Sequence, residues 1–447
     1  MKKIIKGTTF AFAMATLLAG CGSTKFVQED YEKAYASGDY DTCITMLETR
    51  DEDSILNGLD SSMLQYLKKD YAASGRELTA TQAEMQTVSK DMTASKTMEA
   101  ALVGENSVTY SGATYERILV YSMKAVDSFK MNNVPSAVGV MNDYTGNYKE
   151  EIAALVAQQK EIAQESEGLT ESEKFKTAAS ALEKVGVNLP TSGAPAVSKA
   201  PIYEASPFLS YLGTLAYAAN GDSVHANDFA SVLASTNSKL DVSEDLAVPE
   251  GKGRLDVIAL TGTIAKRTEG VNKFDFEKIS EIIGAPVYFK MVYPEYQSQK
   301  TDSVKSVTLS NGASGKIVLI EDFDEAVKND VESKARSAYN RSLFRNVTKT
   351  SAVIAGAVGS VQAAKNDMAK NLAVKAFKAS YAPIMDLEKA DVRQASYFPS
   401  KASAAGFTVE PGTYTVTVEY SDGTKDVIEN VTVDAGKPTV VVSEKMN

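Results

Sequence analysis

Gly38-Asp39-Tyr40-Asp41-Thr42-Cys43-Ile44-Thr45-Met46-Leu47 reads as a tight turn that opens a short helix, and Lys69-Asp70-Tyr71 repeats the turn 31 residues later. Helices are expected on both sides of the first turn, over Asp30–Ser37 and Tyr40–Glu48. Between the two turns Ile55, Leu59, Met63, Leu67 and Tyr71 recur every four residues, which lays them along one helix face. The interval is close to the period of about 34 residues found in tetratricopeptide arrays, in which paired helices bury their faces by stacking on their neighbours.

Further along the chain Tyr115, Ile118, Leu119, Ser122, Ala125, Val126 and Phe129 trace a second apolar stripe. Pro135 suits the first turn of a helix running to about Tyr148. A further pair, Pro207–Ala219 and Ser223–Thr236, is joined by Asn220-Gly221-Asp222, and Val185–Ala200 reads as an interrupting loop.

The second half differs in texture. Residues 1–189 hold one proline and residues 190–447 hold eleven, while net charge falls from −13 over residues 25–241 to −1 over 242–447. Strands are expected at Leu255–Leu260, Pro286–Tyr293, Ser303–Leu309 and Lys316–Ile320, then helices over Asp322–Arg345 and Ala352–Tyr381. Tyr414, Val416, Val418 and Tyr420 alternate with polar residues before an Asp422-Gly423 turn, with Val427, Val431, Val433 and Val440–Val442 as strand partners. The fold class is therefore α+β and multidomain: a tetratricopeptide-like array over 29–241, a mixed strand-helix domain over 254–399, and a small β-hairpin or β-sandwich module over 400–447.

The N-terminus carries Lys2, Lys3 and Lys6 ahead of an apolar Phe10–Leu18, too short for the roughly 20 residues that span a bilayer. Residues 1–20 read as a signal peptide. Leu18-Ala19-Gly20-Cys21 resembles the lipobox of bacterial lipoproteins, which implies acylation of Cys21, a tether over 21–28 and anchorage in the bilayer without a spanning helix. Gly22-Ser23 lacks the aspartate that retains such proteins at the inner membrane, so the resemblance implies the outer membrane facing the periplasm, with the cell surface as the alternative. With Cys21 acylated, Cys43 has no disulfide partner and reads as a buried structural thiol.

Taken together, the lipobox, the Gly-Asp-Tyr turns, the stretch Ala113-Thr114-Tyr115-Glu116-Arg117-Ile118-Leu119, the segment Ala390-Asp391-Val392-Arg393 before Tyr397-Phe398-Pro399 and the closing Pro411-Gly412-Thr413-Tyr414 resemble a family of uncharacterised bacterial tetratricopeptide-like envelope lipoproteins. Members are often encoded beside a lipoprotein that activates penicillin-binding proteins, which implies a role in peptidoglycan or envelope assembly. The family pattern has Asp-Thr-Arg, then Trp and Leu-Pro; this chain has Val392, no tryptophan and Phe398.

One histidine and two cysteines among 447 residues rule out most triad and N/S-ligand metal chemistry, and no calcium-loop, phosphate-loop or penicillin-binding signature is present. No metal site and no cofactor are expected. His225 lies between Asp222 and Asp228 and reads as an exposed histidine beside acids. Asp391 and Arg393 are the candidate polar site, on the reading that residues two apart on a strand share a face; the alternative is a salt bridge tying the last strands to the helices. Lys328, Lys334, Arg336, Arg341, Arg345, Lys349, Lys365, Lys370, Lys375 and Lys378 form a candidate basic surface, to be met by the chain's own acidic half, an anionic membrane or an acidic partner. Nucleic acid is excluded by the export signal and the lack of interleaved aromatics. The expected function is a membrane-anchored, non-enzymatic protein-binding scaffold. The alternatives are an envelope hydrolase or transferase using carboxylates such as Asp391, and a carbohydrate-binding or adhesive lipoprotein.

Overall fold

In the computed structural model the described residues are 26–50, 53–199 and 202–446. The signal peptide, Cys21 and most of the tether lie outside them. The described residues fall into two compact units, one within 1–51 and the other within 52–447. It is α+β, with helices through the N-terminal part and sheets in the C-terminal region.

The first unit is one helical pair, α1 (Gln28–Ala36) and α2 (Tyr40–Leu47). Cys43 is buried and its thiol lies 3.8 Å from the Tyr31 carbonyl. Burial, and then the nearby Asp39, push its pKa up, which disfavours a reactive thiolate.

In the second unit the helices are α3 (Ser54–Leu67), α4 (Tyr71–Asp91), α5 (Ala94–Val103), α6 (Thr114–Lys130), α7 (Val134–Asp143), α8 (Lys149–Gly168), α9 (Glu173–Glu183), α10 (Pro207–Ala219), α11 (Ser223–Thr236) and the single turn α12 (Ser243–Leu246). Four of the chain's helix-to-helix turns share one construction. Gly38, Lys69, Asn132 and Gly221 each take a positive φ, at 75°, 68°, 53° and 81°, just past a helix end. The amide after each reaches back to close the preceding helix: Asp39 to Ala34, Asp70 to Gln65, Asn133 to Ser128 and Asp222 to Tyr217. That same Asp or Asn side chain then accepts an N–H of the next helix, from Thr42, Ala73, Ser136 or His225. Tyr71 therefore starts α4 and does not extend the stripe of α3, on which Ile55, Leu59 and Met63 are buried.

After α12 come β1 (Gly253–Thr263), β2 (Lys266–Asp275), α13 (Glu277–Ile283), β3 (Tyr288–Gln297), β4 (Val304–Leu309), β5 (Val318–Asp322), α14 (Phe323–Ala363), α15 (Asp367–Asp386), β6 (Pro399–Val409), β7 (Gly412–Tyr420), β8 (Lys425–Val433) and β9 (Pro438–Lys445). One sheet runs β5-β6-β1-β9, with β1 antiparallel to β6 and parallel to β9; the others are β2-β3 and β4-β7-β8. Leu255, Val257 and Ala259 join one core with Val307, Val416, Val418 and Val431, while Asp256, on the other face of β1, takes a hydrogen bond from Tyr211 of α10. A strand covered on both faces reads as the near-continuous apolar run seen in β1. A second core gathers Phe175, Leu182, Ile283, Phe289, Phe344 and Tyr381 around α14.

Three expectations are corrected. The segment 400–447 is not set apart, because β6 and β9 flank β1 in one sheet and Val440–Val442 pair with β1, not with β7. The helix begun at Phe323 does not end near Arg345 but runs 41 residues, because Asn346 and Thr350, poor helix formers, are buried and hydrogen-bonded; the chain breaks instead at Ala364–Asn366, where Asn366 caps α15. Asp391 and Arg393 sit on no strand: the segment between α15 and β6 is irregular.

Candidate functional site

The stretches 113–119 and 390–399 are far apart in sequence and meet in space through Glu116. This carboxylate, fully buried at the start of α6, accepts the Ala113 amide at 2.6 Å and the Tyr110 hydroxyl on one oxygen, and the Ala395 amide at 2.7 Å on the other. Burial first, and the Glu116 charge second, raise the pKa of Tyr110 far above its usual value, so the phenol stays a donor.

Held in this way, Arg393 pairs with both oxygens of Asp391 at 2.8 Å, donates to the Val108 carbonyl at 2.8 Å and lies 5.3 Å from the Tyr110 ring centre. Arg267, from β2, donates to Asp330 of α14 at 2.6 Å and lies 5.7 Å from the centre of the Tyr115 ring; its amide donates to Gln394 at 2.9 Å. Burial alone would raise the pKa of Asp330, but Lys334 and Arg267 outweigh it and hold the carboxyl below its usual range.

Tyr110, Arg267, Asp330, Lys334, Asp391 and Arg393 border a cleft of about 1040 Å³ between α5, α8 and α14, closed on one side by the loop 108–114 and on another by residues 197–198 and 202–205. Ile162, Leu155 and Val108 give it apolar walls. Within it Thr97 Oγ1, Thr114 Oγ1, Gln158 Nε2 and Gln159 Oε1 are buried atoms with no hydrogen-bond partner among the described residues. Buried polar groups are nearly always paired, so donors and acceptors left open together along one cleft suit a ligand's own polar groups.

Beside the cleft lies a saturated ionic cluster. Arg341 grips Glu105 with two hydrogen bonds at 3.0 and 2.7 Å, and Arg345 bridges Glu105 at 2.8 Å and Glu388 at 2.9 Å while donating to the Ala101 carbonyl at 2.6 Å. This ties the 94–107 segment of the helical half to α14 and to the end of α15.

The expected basic surface is accordingly divided. Arg341 and Arg345 are buried; Lys328, Lys334 and Arg336 pair with Glu325, Asp330 and Glu167; Lys349 donates to the Val103 carbonyl at 2.6 Å. Acids of the helical half, Glu105 and Glu167, thus meet part of the positive charge. Lys365, Lys370, Lys375 and Lys378 are exposed and have no acidic partner among the described residues. The division follows from α14 being central, so that Arg341 and Arg345 are buried along with its apolar residues. His225 lies apart from the cleft: its Nδ1 is 2.6 Å from Asp222 and its ring stacks on Tyr217. Among the described residues no group of His, Cys, Asp and Glu side chains could hold a metal ion.

Sequence reasoning singled out Asp391, Arg393, Lys334, Arg336 and Arg341, all of which border the cleft, and missed Arg267, Asp330, Glu105 and Glu116. A glutamate three residues into a helix whose cap position is alanine was the available signal for Glu116. No family model, no curated protein and no solved structure matches this chain.

Proposed function

We propose that the chain is a lipoprotein acylated at Cys21 and anchored in the outer membrane facing the periplasm, where it acts as a non-enzymatic scaffold that binds a protein partner in envelope, and specifically peptidoglycan, assembly. In this reading the helical pairs are a tetratricopeptide-like array, and the β7–β8 hairpin belongs to a small β-sandwich. The cleft is the docking site. The observation that carries the reading is the set of unpartnered donors and acceptors on its walls, interleaved with apolar side chains, which matches a polypeptide's alternation of amide groups and side chains. Asp330 and Asp391 are poorly placed for acid–base work. Asp330 is held ionised by two cations, and both oxygens of Asp391 are engaged by Arg393, whereas a general acid or base needs a pKa near the working pH and a free oxygen.

A photo-reactive residue at Gln158, in cells that make the acylated protein, is expected to give a discrete protein adduct. The same group at Val427, exposed on β8, should not, and Arg393→Ala should weaken the Gln158 adduct severalfold. Adducts of equal yield from both positions, or none from Gln158, would refute the docking site. Loss of palmitate labelling in Cys21→Ala tests the anchor separately.

A further inference from the structure

From Ser351 to Ala364 the chain has no charged residue, and from Lys365 to Lys378 it has four lysines and one acid, Asp367. The structure folds these two stretches into a helical hairpin, the last turns of α14 and the first turns of α15, joined at 364–366. Phe377, Tyr381 and Met385 turn one face of α15 into the core. On the opposite face Met368, Leu372, Lys375 and Ala379 fall in one stripe at helical spacing. Met368 is 83% exposed and Leu372 69%, among the largest exposures of apolar side chains in the described chain.

A tip of this kind, with Met368, Leu372 and Lys375 on its outward stripe and four exposed lysines against the single acid Asp367, has two properties at once. It leaves apolar area in water, and it carries positive charge that no internal acid meets, while the rest of the basic run has found partners. We infer that the tip of the α14–α15 hairpin is an interfacial membrane contact: Met368 and Leu372 enter the headgroup boundary while Lys365, Lys370, Lys375 and Lys378 meet anionic lipid headgroups. The hairpin lies in the surface and does not cross it, since among the described residues no helix is long and apolar enough to span a bilayer. Small uncharged residues on the exposed side of α14, such as Gly356, Gly359 and Ser360, let the hairpin approach headgroups closely. This contact is distinct from the Cys21 anchor and does not depend on it. Each lysine brought to an anionic surface strengthens binding about fivefold, and a shallow apolar side chain adds to it.

The test is co-sedimentation of residues 22–447, without an acyl chain, with phosphatidylcholine vesicles and with vesicles containing about one-third phosphatidylglycerol. The expected result is at least tenfold tighter binding to the anionic vesicles, lost at high salt. Changing Lys365, Lys370, Lys375 and Lys378 together to Gln should cost at least tenfold, and Leu372→Asp severalfold. All five side chains are exposed, so the thermal midpoint should stay unchanged. Equal binding to both vesicle types, or unchanged binding by the variants, would overturn the inference. So would binding to polyglutamate in place of vesicles, which would mark an acidic protein as the partner.

Discussion

Replacing Arg345 with alanine is expected to destabilise the 52–447 unit by about 3–5 kcal/mol, the cost of breaking a buried ion pair by removing one partner. Arg345 is 1% exposed and satisfies three acceptors on different parts of the chain: Glu105, Glu388 and the Ala101 carbonyl. Without it Glu105 keeps Arg341, and Glu388 keeps the Ser342 hydroxyl at 2.9 Å and the more distant charge of Lys349. In the native protein burial would raise the pKa of Glu105, but Arg341 and Arg345 bring it below its usual value. A group lowered by folding contributes stability above its unfolded pKa and loses it as pH falls through the folded one, so the pair favours the neutral side. In Arg345→Ala a buried carboxylate stripped of its guanidinium can relax only by taking up a proton. The loss should therefore be larger at pH 8 than at pH 5, which a mere cavity would not produce. Urea midpoints of both proteins at the two pH values check this, and a deficit independent of pH would assign Arg345 to packing alone.

Asp127→Asn should act in the opposite direction. Asp127 lies on α6, almost fully buried, and burial pushes its pKa up to about 8, with the Ser74 hydroxyl opposing only in part. Its folded pKa exceeds its unfolded one, so the folded state binds the extra proton between about pH 4 and pH 8. Stability from this group is complete below the lower value and drains away as pH rises through the upper. The native protein should weaken between pH 5 and pH 9, and Asp127→Asn should remove much of that slope. At pH 9 the variant should be the more stable by a few kcal/mol, from about 1.4 kcal/mol per pKa unit. Glu321 retains a part of the slope, since burial carries its pKa to about 7 against the opposing bonds from Ser206, Tyr203 and the Phe208 amide. Parallel curves for the two proteins would show that Asp127 is ionised and partnered when folded.

Much of the architecture was open to reading because it rests on local signals. Asn220-Gly221-Asp222 states its turn outright, glycine for the positive φ and aspartate for the cap, and α10 and α11 begin and end where the sequence placed them. The turn at Lys69 shows the limit of that rule, since a lysine occupies the left-handed position and the capping Asp70 carries the signal alone. β2 and β6 were not legible. β2 is mostly exposed and pairs with β3 through backbone groups, so Lys266–Asp275 has no apolar alternation. β6 is built of Ala, Ser and Gly, poor strand formers, because the guanidinium of Arg254 passes over Gly406 where a β-carbon would meet it. The candidate site divides similarly. Asp391 and Arg393 are neighbours in sequence and could be paired on paper, whereas Glu116 with Ala395 and Arg267 with Asp330 are joined only by the fold.

If the cleft is the proposed docking site, a partner fills it in the cell. Hydrogen exchange of the protein within a lysate of the cells that make it, compared with the purified protein, measures this directly. Slower exchange in the lysate at residues 108–114 and at Asp391 and Arg393, which border the cleft, is the predicted result. Identical exchange there in the two preparations would contradict it.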